Sequence, residues 1–183
     1  MKKSMKIVFV MLGLLLLTSA SFAQNNSGTV VRWKRIVGVI TAPDDATTEA
    51  NEGLNSPVGN ISSGTFPWSA RDGRARVNLA TGAASFDVEG LVIVGNPVSG
   101  TPGPITAVTG CLVCNAATPA QAVLDTAPVA LSDTGDASFS GQIDNIPATC
   151  NNPLFLIRIA VPQGAAGLWI ATGAERTISN KGQ

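Results

Sequence analysis

Three cysteines and one acidic stretch are the residues whose type and spacing could do chemistry. Cys111-Leu112-Val113-Cys114 has the C-x-x-C spacing of redox dithiols. A redox dithiol needs a helix N-terminus to lower one thiol pKa, and the apolar, β-branched surroundings specify a strand instead. Along a strand, residues three apart point to opposite faces, so Cys111 and Cys114 should not bridge each other. Cys150 follows a turn-like Asn145 to Thr149 segment and can pair with either. Cys114, at the strand's end, is the better placed, and the loop of about 37 residues so closed is worth roughly 3 to 4 kcal/mol in the chain-entropy model. Cys111 is then free, or links two copies as a homodimer. A Cys₃ zinc site would lack both histidine and a second close cysteine pair.

The acids Asp44, Asp45, Glu49 and Glu52 lie in a long connection from Thr41 to Ser63. Connections of that length are commonly functional, which makes this the candidate binding loop. Clustered carboxylates could hold calcium, but the spacing is not that of an EF-hand. A short helix over Asp45 to Glu52, with acids at its start and Gly53 as its cap, accounts for the same residues. A second long stretch, Asn96 to Pro104, carries no charge and reads as simple connection. Histidine and tyrosine are absent from the whole chain, so Ser-His-Asp, Cys-His and His-ligated zinc chemistry are excluded. No spacing singles out a carboxylate pair for hydrolysis. No enzymatic activity, cofactor or metal is therefore expected, and a carboxylate-only hydrolase ranks last.

The compartment is set by residues 1–23. Lys2, Lys3 and Lys6 precede the apolar run Ile7 to Leu17, and Ser21-Phe22-Ala23 leads into Gln24, the pattern of a secretory leader cleaved between Ala23 and Gln24. A single exported domain, 24–183, should remain, periplasmic or secreted, with no membrane span after cleavage. Removing the three leader lysines from twelve basic residues leaves nine against twelve acids, a net of about −3 by counting. That balance argues against nucleic acid and anionic membrane. The densest basic group, Arg71, Arg74 and Arg76, should be offset by Asp72, Asp87 and Glu89. Arg158 and Arg176 should make surface ion pairs.

Turn residues recur every 8 to 12 positions or so between short Val, Ile, Leu and Phe segments, the rhythm of an all-β antiparallel sandwich or partly closed barrel of about nine or ten strands. Thr81-Gly82 reads as a two-residue turn. It would place Leu79 opposite Ala84, Val77 opposite Phe86 and Ala75 opposite Val88 on one face, with Arg76 facing Asp87 and Arg74 facing Glu89 on the other. Gly90 would mark a bulge before a buried strand, Leu91 to Val94. A similar hairpin is expected at Val129 to Phe139 around Asp133-Thr134-Gly135, pairing Leu131 with Ala137 and Val129 with Phe139. Further strands should run over Val30 to Ile40, Gly64 to Ala70 (before an Asp72-Gly73 turn), Ile105 to Cys114, Gln121 to Thr126, Leu154 to Ala160 and Leu168 to Ala174. Trp33, Trp68 and Trp169 should be core.

From Val77 onward, Gly110-Cys111-Leu112-Val113-Cys114, Gly135-Asp136-Ala137-Ser138-Phe139-Ser140-Gly141, Phe155-Leu156-Ile157-Arg158 and Trp169-Ile170-Ala171-Thr172-Gly173-Ala174 follow one pattern. It resembles a family of uncharacterised secreted bacterial β-rich proteins with G-x-L-V-C, G-D-A-x-F-S-G, F-L-I-R and W-I-A-x-G-A segments. The resemblance covers a little over half the chain and implies no activity. In that pattern the Cys111 position is more often threonine, which implies Cys114 with Cys150 as the bridge. A fainter likeness to chordin-type repeat domains rests on strand spacing and glycines, without their histidine-bearing segment. The expectation is an exported, non-enzymatic β protein that binds an extracellular protein or polysaccharide or serves structurally. The alternative is a calcium-dependent or carbohydrate-binding module using the 41–63 loop.

Overall fold

The computed structural model describes residues 28–40, 57–116, 118–161 and 166–180. The leader, the expected helix and Asp44, Asp45, Glu49 and Glu52 lie outside them. Every regular element among the described residues is a strand: β1 (Thr29–Gly38), β2 (Trp68–Ser69), β3 (Asp72–Asn78), β4 (Ala83–Glu89), β5 (Val92–Ile93), β6 (Ala107–Cys114), β7 (Ala122–Asp125), β8 (Val129–Ala130), β9 (Ala137–Gln142), β10 (Leu154–Ala160) and β11 (Ala166–Asn180). The all-β class is as expected. Nine of the strands form one antiparallel sheet in the order β7-β6-β10-β11-β1-β3-β4-β9, with β8 beside β7 on the outer edge of β6. The two others, β2 and β5, make a small second sheet.

Chain geometry requires the large sheet to curl. β8 and β9 sit at its opposite ends, yet only residues 131–136 separate them in sequence. Seven strand spacings would put the ends of a flat sheet about 34 Å apart. The connection from Ala130 to Ala137 reaches about 25 Å at full stretch. The sheet therefore folds round into a half-barrel, and the connection is pinned where the ends meet: Leu131 N–H donates to the Thr106 carbonyl and Leu91 N–H to that of Gly135.

The inside of the curl is filled by rings set against glycine. Trp33 and Phe155 lie 5.5 Å apart between centroids, and Phe86 lies 5.8 Å from both Phe155 and Phe139. These rings come from β1, β10, β4 and β9, so one aromatic cluster ties together strands from both halves of the sheet. Gly110 makes room for it, because a Cβ there would come within 2.8 Å of Phe86 and Phe155. Trp33, Trp68 and Trp169 are all buried, as their size and apolarity require.

Several expected pairings are corrected. In the β3–β4 hairpin Val77 faces Ala84, Ala75 faces Phe86 and Gly73 faces Val88, two residues from the expected register. The connection is the four-residue Leu79 to Gly82, closed by Asn78, whose Oδ1 accepts the Ala80 and Thr81 amides while its carbonyl accepts that of Gly82. Leu79 is drawn instead toward β1, donating to the Thr29 carbonyl. A shift of two preserves each side chain's face, so the buried set survives, but it changes every partner. Arg76 now faces Ser85, Arg74 faces Asp87, and Glu89 pairs with Arg71 at 3.0 Å.

The second hairpin closes its turn, with the Ser132 amide donating to the Asp136 carbonyl. Its arms then part: β8 pairs with β6 and β9 with β4, so Leu131–Ala137 and Val129–Phe139 are not ladder pairs. Asp72-Gly73 is strand rather than turn, since a Cβ at Gly73 would meet the Ile36 side chain at 2.8 Å. Gly90 marks the point where the chain leaves the large sheet rather than a bulge, and the Leu91 to Val94 strand shortens to Val92–Ile93. The strand expected over Gly64 to Ala70 shrinks to two residues, whereas that over Leu168 to Ala174 extends to Asn180.

Candidate functional site

The cysteines resolve as one bridge and one enclosed thiol. Cys114 at the end of β6 is disulfide-bonded to Cys150, and Cys111 is free and buried. β6 is covered on both faces, so an outward side chain at Cys111 is enclosed as fully as an inward one. A link between copies through Cys111 would require this layer to open. Burial pushes the thiol far above its ordinary value, Asp125 adds to the rise and Arg158 partly offsets it. A nucleophilic or redox cysteine needs the opposite shift.

Arg158 makes the expected ion pair, with Asp125, but sits deeper than a surface pair. Its side chain is only 12% exposed, its Nη1 donates to both Asp125 oxygens at 3.0 Å, and its Nε and Nη2 donate to the carbonyls of Gly167 and Ala166. It is a clamp joining β10, β7 and β11, with all three guanidinium nitrogens donating within the protein. Arg176 likewise donates to the Pro153 carbonyl and makes no ion pair among the described residues. Of the expected binding loop, residues 57–63 are described: Ile61 and Ser63 are buried and Ser63 bridges to Trp169, while Pro57, Gly59 and Asn60 are exposed. Among the described residues no group of three His, Cys, Asp or Glu side chains could hold a metal ion.

The open chemistry lies on the outer face of the curl. β1 pairs with β3 so that Arg32 stands directly opposite Arg76. These arginines, with Lys34 and Arg74, line a trough of about 540 Å³ that continues over Ser85, Asp87 and Ser138. Four basic residues thus gather at one concavity, and among the described residues Asp87 is the only acid that lines it. The expected offset by Asp72, Asp87 and Glu89 is partial: Glu89 pairs with Arg71 and Asp87 stands opposite Arg74, but the two-residue register shift leaves Arg76 facing Ser85. Among the described residues, no carboxylate forms an ion pair with Arg32, Lys34, Arg74 or Arg76; Arg32 Nη1 donates to Ser179 Oγ at 3.0 Å.

Like charges directly opposite on neighbouring strands are destabilising. Arg32 and Arg76 are far apart in sequence and meet only through β1–β3 pairing, so no linear scan for basic runs could have found them. The alternation within each strand was the available signal, since it marks both as outward.

Acids collect beyond the far end of the trough. A neighbouring concavity of about 430 Å³ shares Asp87 and Ser138 with it and adds Glu89 and Asp136. Asp136 is structural: its Oδ2 accepts the Thr134 hydroxyl at 2.7 Å and its Oδ1 the Gly90 amide at 2.9 Å. The Thr134 bond, then the Gly90 bond, hold its carboxyl below the usual carboxylate range. No family model, curated protein or solved structure matches the chain.

Proposed function

We propose that this chain is an exported, non-enzymatic binding protein that takes anionic ligands on the outer face of β1, β3 and β4. The observation that carries the proposal is the Arg32–Arg76 cross-strand pair, two like charges held together inside a concavity with no carboxylate ion-paired to either among the described residues. Arginine presents a planar set of donors suited to carboxylate, sulfate or phosphate, and these donors face solvent. Export is supported by the leader-like residues 1–23 and by the disulfide, which persists in oxidising compartments. The non-enzymatic part rests on the absence of histidine and on a free thiol held protonated by burial.

Cation-exchange chromatography of residues 24–183 tests this reading. Residues 24–183 hold nine basic against twelve acidic residues, so uniform charge would let them pass a sulfonate resin at neutral pH. A localised cationic face predicts retention at low salt and loss of retention in Arg32→Gln/Arg76→Gln. Flow-through of the unmodified chain would refute it.

A further inference from the structure

We infer that the ligand is an acidic polysaccharide lying in extended form across the strands; this rests on the anion-binding face described above. The ladder register sets five outward side chains in one row across five strands, Ser140, Ser85, Arg76, Arg32 and Thr177. At the usual strand spacing the row is about 19 Å long. Hydroxyls stand at both ends and two guanidiniums in the middle. A second concavity of about 220 Å³ shares Arg76 and Ser85 with the main trough and adds Asn78 and Ser140, so the site is elongated along the row rather than round.

A chain bearing carboxylate or sulfate groups among many hydroxyls matches that sequence of partners. The charged groups fall on the arginines and the sugar hydroxyls on the serines and threonine. Single-stranded nucleic acid would require exposed rings on which bases stack. The rings that line the trough do not offer one: Trp33 and Phe86 are 1% and 3% exposed, and Phe139 stacks on Phe86 on the inner side. A lipid surface would require apolar side chains beside the charges. Among the described residues, none of the exposed large apolar side chains, such as Ile40, Phe66 or Ile178, lines the trough.

Affinity electrophoresis of residues 24–183 against polygalacturonate tests the inference, with neutral dextran, poly(A) RNA and phosphatidylglycerol vesicles as competing arms and citrate as a small-anion arm followed by calorimetry. Polygalacturonate should retard the chain and dextran should not. Arg32→Gln/Arg76→Gln should weaken retardation about tenfold or more, the loss expected for two charge-assisted bonds. Ser85→Ala/Ser140→Ala should weaken polygalacturonate several-fold and leave citrate unchanged, and Arg71→Gln, outside the row, should change neither. Tighter binding to RNA or vesicles than to polygalacturonate, or equal binding to dextran, overturns the polysaccharide while leaving the anion-binding face standing. No binding to any anion, citrate included, overturns both.

Discussion

Replacing Arg76 by glutamate should raise stability and abolish anion binding together. Arg76 is exposed, faces Arg32 directly across the β1–β3 ladder, and has Arg74 two residues away on the same face. In Arg76→Glu a like-charge pair becomes an opposite-charge pair. Each such cross-strand pair is worth a few tenths to about 1 kcal/mol, so removing a repulsion and adding an attraction amounts to about 0.5–1.5 kcal/mol, with exposure favouring the lower end. For a domain of this size that is a rise in Tm of about 1–6 °C. The gain should shrink at about 0.5 M NaCl, where the Debye length is near the pair's own separation. Circular-dichroism melts of the unmodified chain and the variant, at low and high salt, measure it, and the sulfonate column measures binding. A fall in Tm, or a rise that ignores salt, would show that Arg76 is not held against a like charge and would remove the basis of the proposed site.

Three further outcomes follow from the fold. Cys114→Ser/Cys150→Ser should lose roughly 3–4 kcal/mol, or about 6–16 °C in Tm, and the native unmodified chain should show one thiol that reacts only after denaturation; rapid native labelling of Cys111 would contradict its burial. Gly110→Ala should cost about 1–3 kcal/mol by pressing a methyl against Phe86 and Phe155, and a neutral result in urea titration would mean that the aromatic cluster is not packed as described. The carboxyl of Asp136 is depressed in the folded state, so its contribution is present above its ordinary value of 3.8 and is lost as pH falls through the folded value. The unmodified chain should therefore lose Tm more steeply than Asp136→Asn below about pH 4, and parallel acid curves would contradict the clip to Gly90 and Thr134.

Where a property depended on neighbours in sequence it was legible. Alternation placed Ala75, Val77, Phe86 and Val88 inward, and Cys114 at a strand end pointed to its bridge with Cys150. β10 coincides with its expected bounds because Leu154 to Ala160 is an uninterrupted apolar and β-branched run except for Arg158. Register failed at Asn78, whose side chain closes a four-residue connection where backbone propensity favoured two. The partners of β8 and β9 failed because the curl separates hairpin arms that local pattern would keep together. The cationic trough combined both failures: it needs the nonlocal β1–β3 pairing and the shifted β3–β4 register. The depth of Arg158, though not its ion pair, was hidden for a related reason, since its partners come from β7 and β11 rather than from residues beside it in the chain.

The most direct measurement is a titration of ¹⁵N-labelled residues 24–183 with oligogalacturonate, following backbone amides and arginine Nε–H signals. The account predicts shifts on the outward residues of β1, β3 and β4, with the Nε–H signals of Arg32, Arg74 and Arg76 moving while those of Arg71, Arg158 and Arg176 stay in place. Shifts concentrated in residues 41–63, with those three trough arginines unmoved, would contradict it.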